Sequence, residues 1–120
     1  MSTKEETTAA TVRALTDAFN ARDREAAEAL FTADGVLWPG MAGACFAGPE
    51  AIADALFGFL GARESGRFET VHEMFAGDEA YKEWKWIGVT SEGETTQTHG
   101  CDYYRIRDGK VAVMNTFRKA

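Results

Sequence analysis

Helical spacing disappears after Gly66, and three glycine-acid turn signals, Gly77-Asp78, Glu92-Gly93 and Asp108-Gly109, divide the remaining chain into strands. Turns this short force neighbouring strands to run antiparallel, so residues near 67–76, 79–91, 94–107 and 110–118 are expected to form a four-stranded meander. The first half has the opposite character. Val12, Leu15, Ala18 and Phe19 recur at spacings of three and four, which predicts a helix over 8–22 with one buried face. Asp23 is placed to cap a second helix through Ala26, Ala27, Leu30 and Phe31. Val36-Leu37-Trp38 reads as a short strand ended by Pro39-Gly40, and a loop through 40–43 follows. A third helix fits 49–60, with Pro49 at its start, Glu50 favoured by the dipole, and Ile52, Leu56, Phe57, Phe59 and Leu60 on its buried side. Helices followed by a curved sheet give an α+β domain.

At 120 residues the chain is expected to be one domain, with 1–7 as a loose N-terminal tail. A formal net charge of -6 lacks the basic excess that phosphate backbones require, so nucleic acid is not an expected partner. No stretch approaches a membrane span and the polar start does not read as a signal peptide, so a cytoplasmic protein that does not enter membranes is expected. Cys45 and Cys101 lack metal-ligand or disulfide spacing, and no metal or cofactor is expected.

The hairpin centred on Glu92-Gly93 carries the chemical clue. A two-residue turn there sets Glu83 opposite Asp102, Tyr81 opposite Tyr104 and Ile87 opposite Thr98 on one face, with Lys85 diagonal to Asp102. The other face then carries Trp84, Trp86, Lys82 and Tyr103. Directly opposed carboxylates repel. In a partly desolvated pocket such a pair becomes an acid and a base tuned by Lys85. On a wet face the same three groups form a surface charge ladder. Alternation alone does not decide which face is inside.

The run Gly100-Cys-Asp102-Tyr-Tyr-Arg105-Ile-Arg-Asp108-Gly109-Lys110-Val111 resembles a strand-turn-strand signature of the SnoaL-like branch of the nuclear transport factor 2 superfamily. Phe31-Thr-Ala-Asp34-Gly35-Val36, Gly48-Pro-Glu50-Ala-Ile52 and Gly77-Asp78 followed by Glu83-Trp84 are similar to three further motifs of that group, in the same order. The resemblance implies a cone-like curved antiparallel sheet wrapped around three N-terminal helices, a pocket in its open end, and a homodimer through the outer sheet face. It also implies that the Asp102 side faces the pocket. By parity this sends Tyr81, Glu83, Lys85, Ile87 and Tyr104 inward, and Trp84, Trp86 and Tyr103 outward toward the partner subunit.

The function this implies is acid/base chemistry on a small apolar organic molecule, of isomerase, cyclase, dehydratase or epoxide hydrolase type. The alternative is a non-catalytic ligand-binding or dimerisation module. Asp102 is the expected acid or base, Glu83 its coupled partner, Lys85 a charge tuner or oxyanion stabiliser, and Tyr104 a hydrogen-bond donor. Trp38, Leu15, Phe19, Tyr81, Ile87, Phe57, Asn115 and Thr116 are the expected substrate contacts. Steroid isomerisation itself is disfavoured, because Trp38-Pro39 and Leu15 stand where ketosteroid isomerase carries its base and a tyrosine. His72 and His99 complete no catalytic or metal pattern, and His99 falls on the face opposite Asp102.

Overall fold

A computed structural model describes residues 3–40, 44–61 and 65–119. Part of the loop predicted over 40–43 lies outside them. The elements are α1 (Thr3–Asn20), α2 (Arg24–Glu28), β1 (Phe31–Trp38), β2 (Phe46–Ala47), α3 (Pro49–Gly61), β3 (Ser65–Ala76), β4 (Glu79–Val89), β5 (Thr95–Arg107) and β6 (Lys110–Arg118). They form one six-stranded sheet in the order β2-β1-β6-β5-β4-β3. The meander is antiparallel throughout, whereas β1 joins β6 in parallel.

The helix α1 begins at Thr3, so 3–7, expected as tail, are helical. Its apolar stripe is buried against the sheet with Val12, Leu15 and Phe19 in the core. Three buried threonines of the same helix, Thr8, Thr11 and Thr16, tie it to the strands. Thr8 Oγ1 donates to the carbonyl of Gly77 at 2.8 Å and Thr11 Oγ1 to that of Gly109 at 2.9 Å, so the helix holds two of the hairpin turns. At its far end Asn20 bonds the backbone of Phe68 in both directions, and Arg22 donates to the Gly66 carbonyl at 2.8 Å. These contacts occupy backbone groups that the edge strand β3 would otherwise present to solvent.

Asp23 caps α2, accepting from the Ala26 N–H at 3.1 Å. The helix stops at Glu28, and Phe31, expected inside it, instead starts β1. The periodic run ends there because Phe31 pairs with Val111 of β6. The predicted strand at Val36-Leu37-Trp38 is the second half of β1, beyond an irregularity between Phe31 and Val36.

The β4–β5 turn decides which side chains enter the core. Thr90 and Glu94 close the loop through a Thr90 N–H to Glu94 carbonyl bond of 2.9 Å, and Gly93 takes φ 83 with its N–H on the Thr90 carbonyl at 2.9 Å. The loop is therefore residues 91–93, one longer than the expected two, and one extra residue reverses the relative parity of the strands. Glu83 lies opposite Cys101, not Asp102, and Lys82 lies opposite Asp102. Tyr81 pairs with Tyr103 and Ile87 with Gln97.

Ala80, Lys82, Trp84, Trp86 and Gly88 form the buried face of β4, while Tyr81, Glu83, Lys85 and Ile87 alternate on the other. The expectation that Trp84 and Trp86 point outward is thus overturned; they are 5% and 1% exposed. Glycines make room for their rings. A Cβ on Gly100 would meet Trp84 Cζ2 at 2.4 Å, one on Gly66 would meet Trp86 Cζ2 at 2.3 Å, and one on Gly88 would meet Trp86 Nε1 at 2.5 Å. Phe68 closes the cluster, edge-on to both indoles with centroids 5.3 Å from Trp84 and 4.9 Å from Trp86.

Candidate functional site

The sheet curls around α1 and α3 to leave a cavity of about 370 Å³. Its wall is mostly apolar: Phe19 from α1, Leu37 from β1, Leu56, Phe59 and Leu60 from α3, Phe68 and Trp84 from the strands, and Met114 from β6. Five polar residues interrupt that lining inside the cavity: Thr16, Lys82, Asp102, Tyr104 and Thr116, with Arg118 a sixth on the last strand.

Asp102 is 5% exposed and receives two hydrogen bonds. Tyr104, its neighbour two positions along on the same face of β5, donates its hydroxyl to Oδ2 at 2.7 Å. Thr116 donates to Oδ1 at 2.9 Å from across the β5–β6 ladder. The Asp108-Gly109 turn is a two-residue loop with both residues at positive φ, but the register then shifts between Ile106 and Arg105. That bulge brings Thr116 opposite Asp102 and moves Asn115 opposite Tyr103, whereas an undisturbed two-residue turn would set Asn115 opposite Asp102.

Lys82 is also 5% exposed. Its ammonium donates in a short hydrogen bond to Thr16 Oγ1 of α1 and lies 5.6 Å from the centre of the Tyr104 ring. Glu73 of β3 stands on its other side in register, but is held by Arg13 at 3.0 Å. Among the described residues no carboxylate comes within ion-pair distance of Lys82.

These surroundings weaken both charged forms. Burial pushes the Asp102 carboxyl above the usual carboxylate range, opposed by the charge of Lys82 and the hydrogen bonds from Tyr104 and Thr116. Burial lowers the Lys82 ammonium below the usual lysine range, opposed by Asp102 and then by Glu73 and Asp17. Burial, then the charge of Asp102, raises the Tyr104 phenol well above its ordinary value, so it serves as a donor. The Trp84 indole N–H is buried without a hydrogen-bond partner of standard geometry, and it adds a weaker polar contribution favouring ionised Asp102. A carboxyl and an amine, each destabilised in its charged form and placed on adjacent strands of one apolar wall, can exchange protons with a bound molecule.

Of the residues singled out from sequence, Asp102, Tyr104, Thr116 and Phe19 meet in this cavity. Glu83 and Lys85 do not. They lie on the outer face, where Lys85 pairs with Glu69 at 3.6 Å. Tyr81, 51% exposed, packs at a tilt against Tyr103 outside, with ring centroids 5.2 Å apart, and Ile87 is on the same side. Trp38 is 49% exposed and outside the lining, while Leu15 is buried in the core behind the wall. Phe57 supports the wall indirectly, its ring edge-on to Phe19 at 5.7 Å. His99 pairs with Lys85 and His72 with Glu83, which puts both histidines on the outer face.

Lys82 and Thr16 are the functional candidates that sequence reasoning missed. Thr16 carried a signal, a polar residue four positions from Val12 within the apolar stripe of α1. Among the described residues no cluster of three or more His, Cys, Asp or Glu is arranged to hold a metal ion, and Cys45 and Cys101 are free thiols.

The sequence profile of the SnoaL-like domain matches residues 12–114, nearly the whole chain. The chain belongs to the SnoaL-like family. Solved structures place it in the same fold. An NTF2-like protein of unknown function from Mesorhizobium loti is 24% identical with TM-score 0.82, covering 100% of this chain and 97% of that one. A candidate SnoaL-like polyketide cyclase from Jannaschia sp. CCS1 is 16% identical with TM-score 0.88, covering 99% and 90%. TerC, crystallised with polyporic acid, is 17% identical with TM-score 0.82, covering 94% and 92%. Sequence comparison with curated proteins finds no match. No helix of this SnoaL-like chain among the described residues is long and apolar enough to cross a membrane.

Proposed function

We propose that the cavity takes up a small, largely apolar organic molecule and that Asp102 transfers a proton to or from it. The observation that carries this reading is the position of Asp102 on an apolar wall, opposite Lys82 and held by Tyr104 and Thr116. Tyr104 and Thr116 fix the carboxyl group's orientation. Lys82 supplies positive charge on the same wall, where negative charge developing on a substrate oxygen would be stabilised far more than in water. Proton abstraction next to a carbonyl, with the resulting enolate carried through isomerisation or ring closure, is the reaction class such an arrangement suits. The shared fold with a candidate polyketide cyclase, and with a protein crystallised with polyporic acid, supports organic molecules as the ligand class.

The test is deuterium exchange, followed by NMR, at carbons next to the carbonyl in a panel of small aromatic and polycyclic ketones. The SnoaL-like chain should accelerate exchange for at least one panel member, and Asp102→Asn should abolish that acceleration while the fold persists. Equal exchange by the two proteins would overturn the assignment.

A second reading follows from the same hydrogen bonds. Tyr104 and Thr116 already satisfy Asp102, as they would in a pocket that binds without catalysing. Binding of panel members without any exchange would establish that alternative. Pairing with a second copy cannot use the buried Trp84 and Trp86, so a homodimer through the outer sheet face would use the exposed Met74, Tyr81 and Phe117 beside Tyr103, and light scattering would show whether a dimer forms.

A further inference from the structure

The chain has five lysines, Lys4, Lys82, Lys85, Lys110 and Lys119, and Lys82 differs from the others in kind. Lys4, Lys110 and Lys119 are exposed, and Lys85 is half-buried beside Glu69. Lys82 is buried on the cavity wall. It has no carboxylate in ion-pair contact among the described residues, and Thr16 Oγ1 anchors its amine. Asp102, a carboxyl able to accept and return a proton, stands opposite it on the next strand.

We propose that Lys82 is an amine nucleophile that condenses with an aldehyde or ketone bound in the cavity to form a Schiff base. The inference rests on the reading that the cavity admits a small organic molecule, and adds to it a covalent step and a carbonyl requirement.

The protons balance within the pair. The ammonium of Lys82 passes a proton, by way of water in the cavity, to the Asp102 carboxylate across the β4–β5 ladder, which frees the nitrogen lone pair. Nitrogen attacks the carbonyl carbon, the C–N bond forms, and the carbonyl π pair moves to oxygen, which takes the proton back from Asp102. A second proton then leaves the nitrogen through Asp102 for the hydroxyl, water departs, and the nitrogen lone pair forms the C=N bond. The net change is carbonyl plus ammonium to protonated imine plus water. A desolvated lysine in an apolar site is a recognised form of activated amine. Burial weakens the Lys82 ammonium, which raises the share of free amine at neutral pH.

The test uses the full chain with 2-naphthaldehyde and sodium cyanoborohydride at neutral pH. The reductant delivers hydride to the imine carbon and fixes the adduct as a secondary amine, which peptide mass spectrometry assigns to individual lysines. Lys82 should be modified several-fold faster than each of the other four lysines, which serve as controls within one molecule. Lys82→Arg should remove the fast phase. Quenching of tryptophan fluorescence by naphthaldehyde without reductant reports occupancy of the cavity beside Trp84. Occupancy with Lys82 modified no faster than the surface lysines would overturn the Schiff-base proposal and leave the pocket reading standing. Neither quenching nor selective modification would count against both.

Discussion

Lys82 and Asp102 stand opposite one another on β4 and β5, each 5% exposed and each facing the same apolar cavity. A buried pair of opposite charge adds little net stability, because desolvation consumes most of the attraction, but removing one partner leaves an uncompensated charge. Burial raises the Asp102 pKa, so its contribution to stability is present below the ordinary aspartate value and lost as pH rises through the folded one. The Lys82 pKa is lowered, so its contribution is present above the ordinary lysine value and lost as pH falls through the folded one. Between those limits both groups are charged and depend on each other.

Lys82→Met should therefore destabilise the protein by about 1–3 kcal/mol at neutral pH, as urea unfolding would measure. The loss should shrink as pH falls through the raised Asp102 value, because protonation removes the stranded charge. Lys82→Met combined with Asp102→Asn should recover most of the stability at neutral pH.

The tryptophan slots give a prediction independent of electrostatics. Gly100→Ala sets a methyl 2.4 Å from Trp84 Cζ2 and 2.8 Å from the Phe117 carbonyl oxygen, so it should cost about 1–3 kcal/mol and alter the near-ultraviolet circular dichroism of the indoles. Gly58, in the middle of α3, has nothing within 4 Å of an added Cβ. Gly58→Ala should stabilise the chain by about 0.5–1 kcal/mol through helix propensity alone. Thermal unfolding of the two variants checks both signs.

In the deuterium-exchange assay, variants should divide by sheet face. Tyr104→Phe and Thr116→Val each remove a hydrogen bond to the Asp102 carboxyl and should reduce exchange about 10–100-fold. Glu83→Gln and Lys85→Gln, on the outer face, should exchange at the wild-type rate.

How far the sequence could be read follows from the same residues. Asp23 and Pro49 open α2 and α3 as their chemistry predicts, and the glycine turns mark the hairpins, because capping and positive φ act over a few neighbouring residues. Asp102 and Tyr104 were recognisable as cavity-facing through family resemblance. Lys82 was not, since its side depends on whether the β4–β5 loop holds two residues or three, and Glu92-Gly93 serves either loop. The β6 bulge that delivers Thr116 leaves no local residue signature. Gly66, Gly88 and Gly100 do carry a trace of the inward tryptophans: a glycine beside or across from an indole is the space the ring requires.

One apolar wall holds an acid and a base, each perturbed by burial and each sensing the other. Site-resolved NMR titration of the Asp102 carboxyl carbon and the Lys82 amine, in the wild type and in Asp102→Asn, measures this directly. Asp102 should titrate above the ordinary aspartate range and Lys82 below the ordinary lysine range, with Lys82 falling further when the Asp102 charge is removed. Ordinary values for both groups, or a Lys82 indifferent to the replacement, would contradict this.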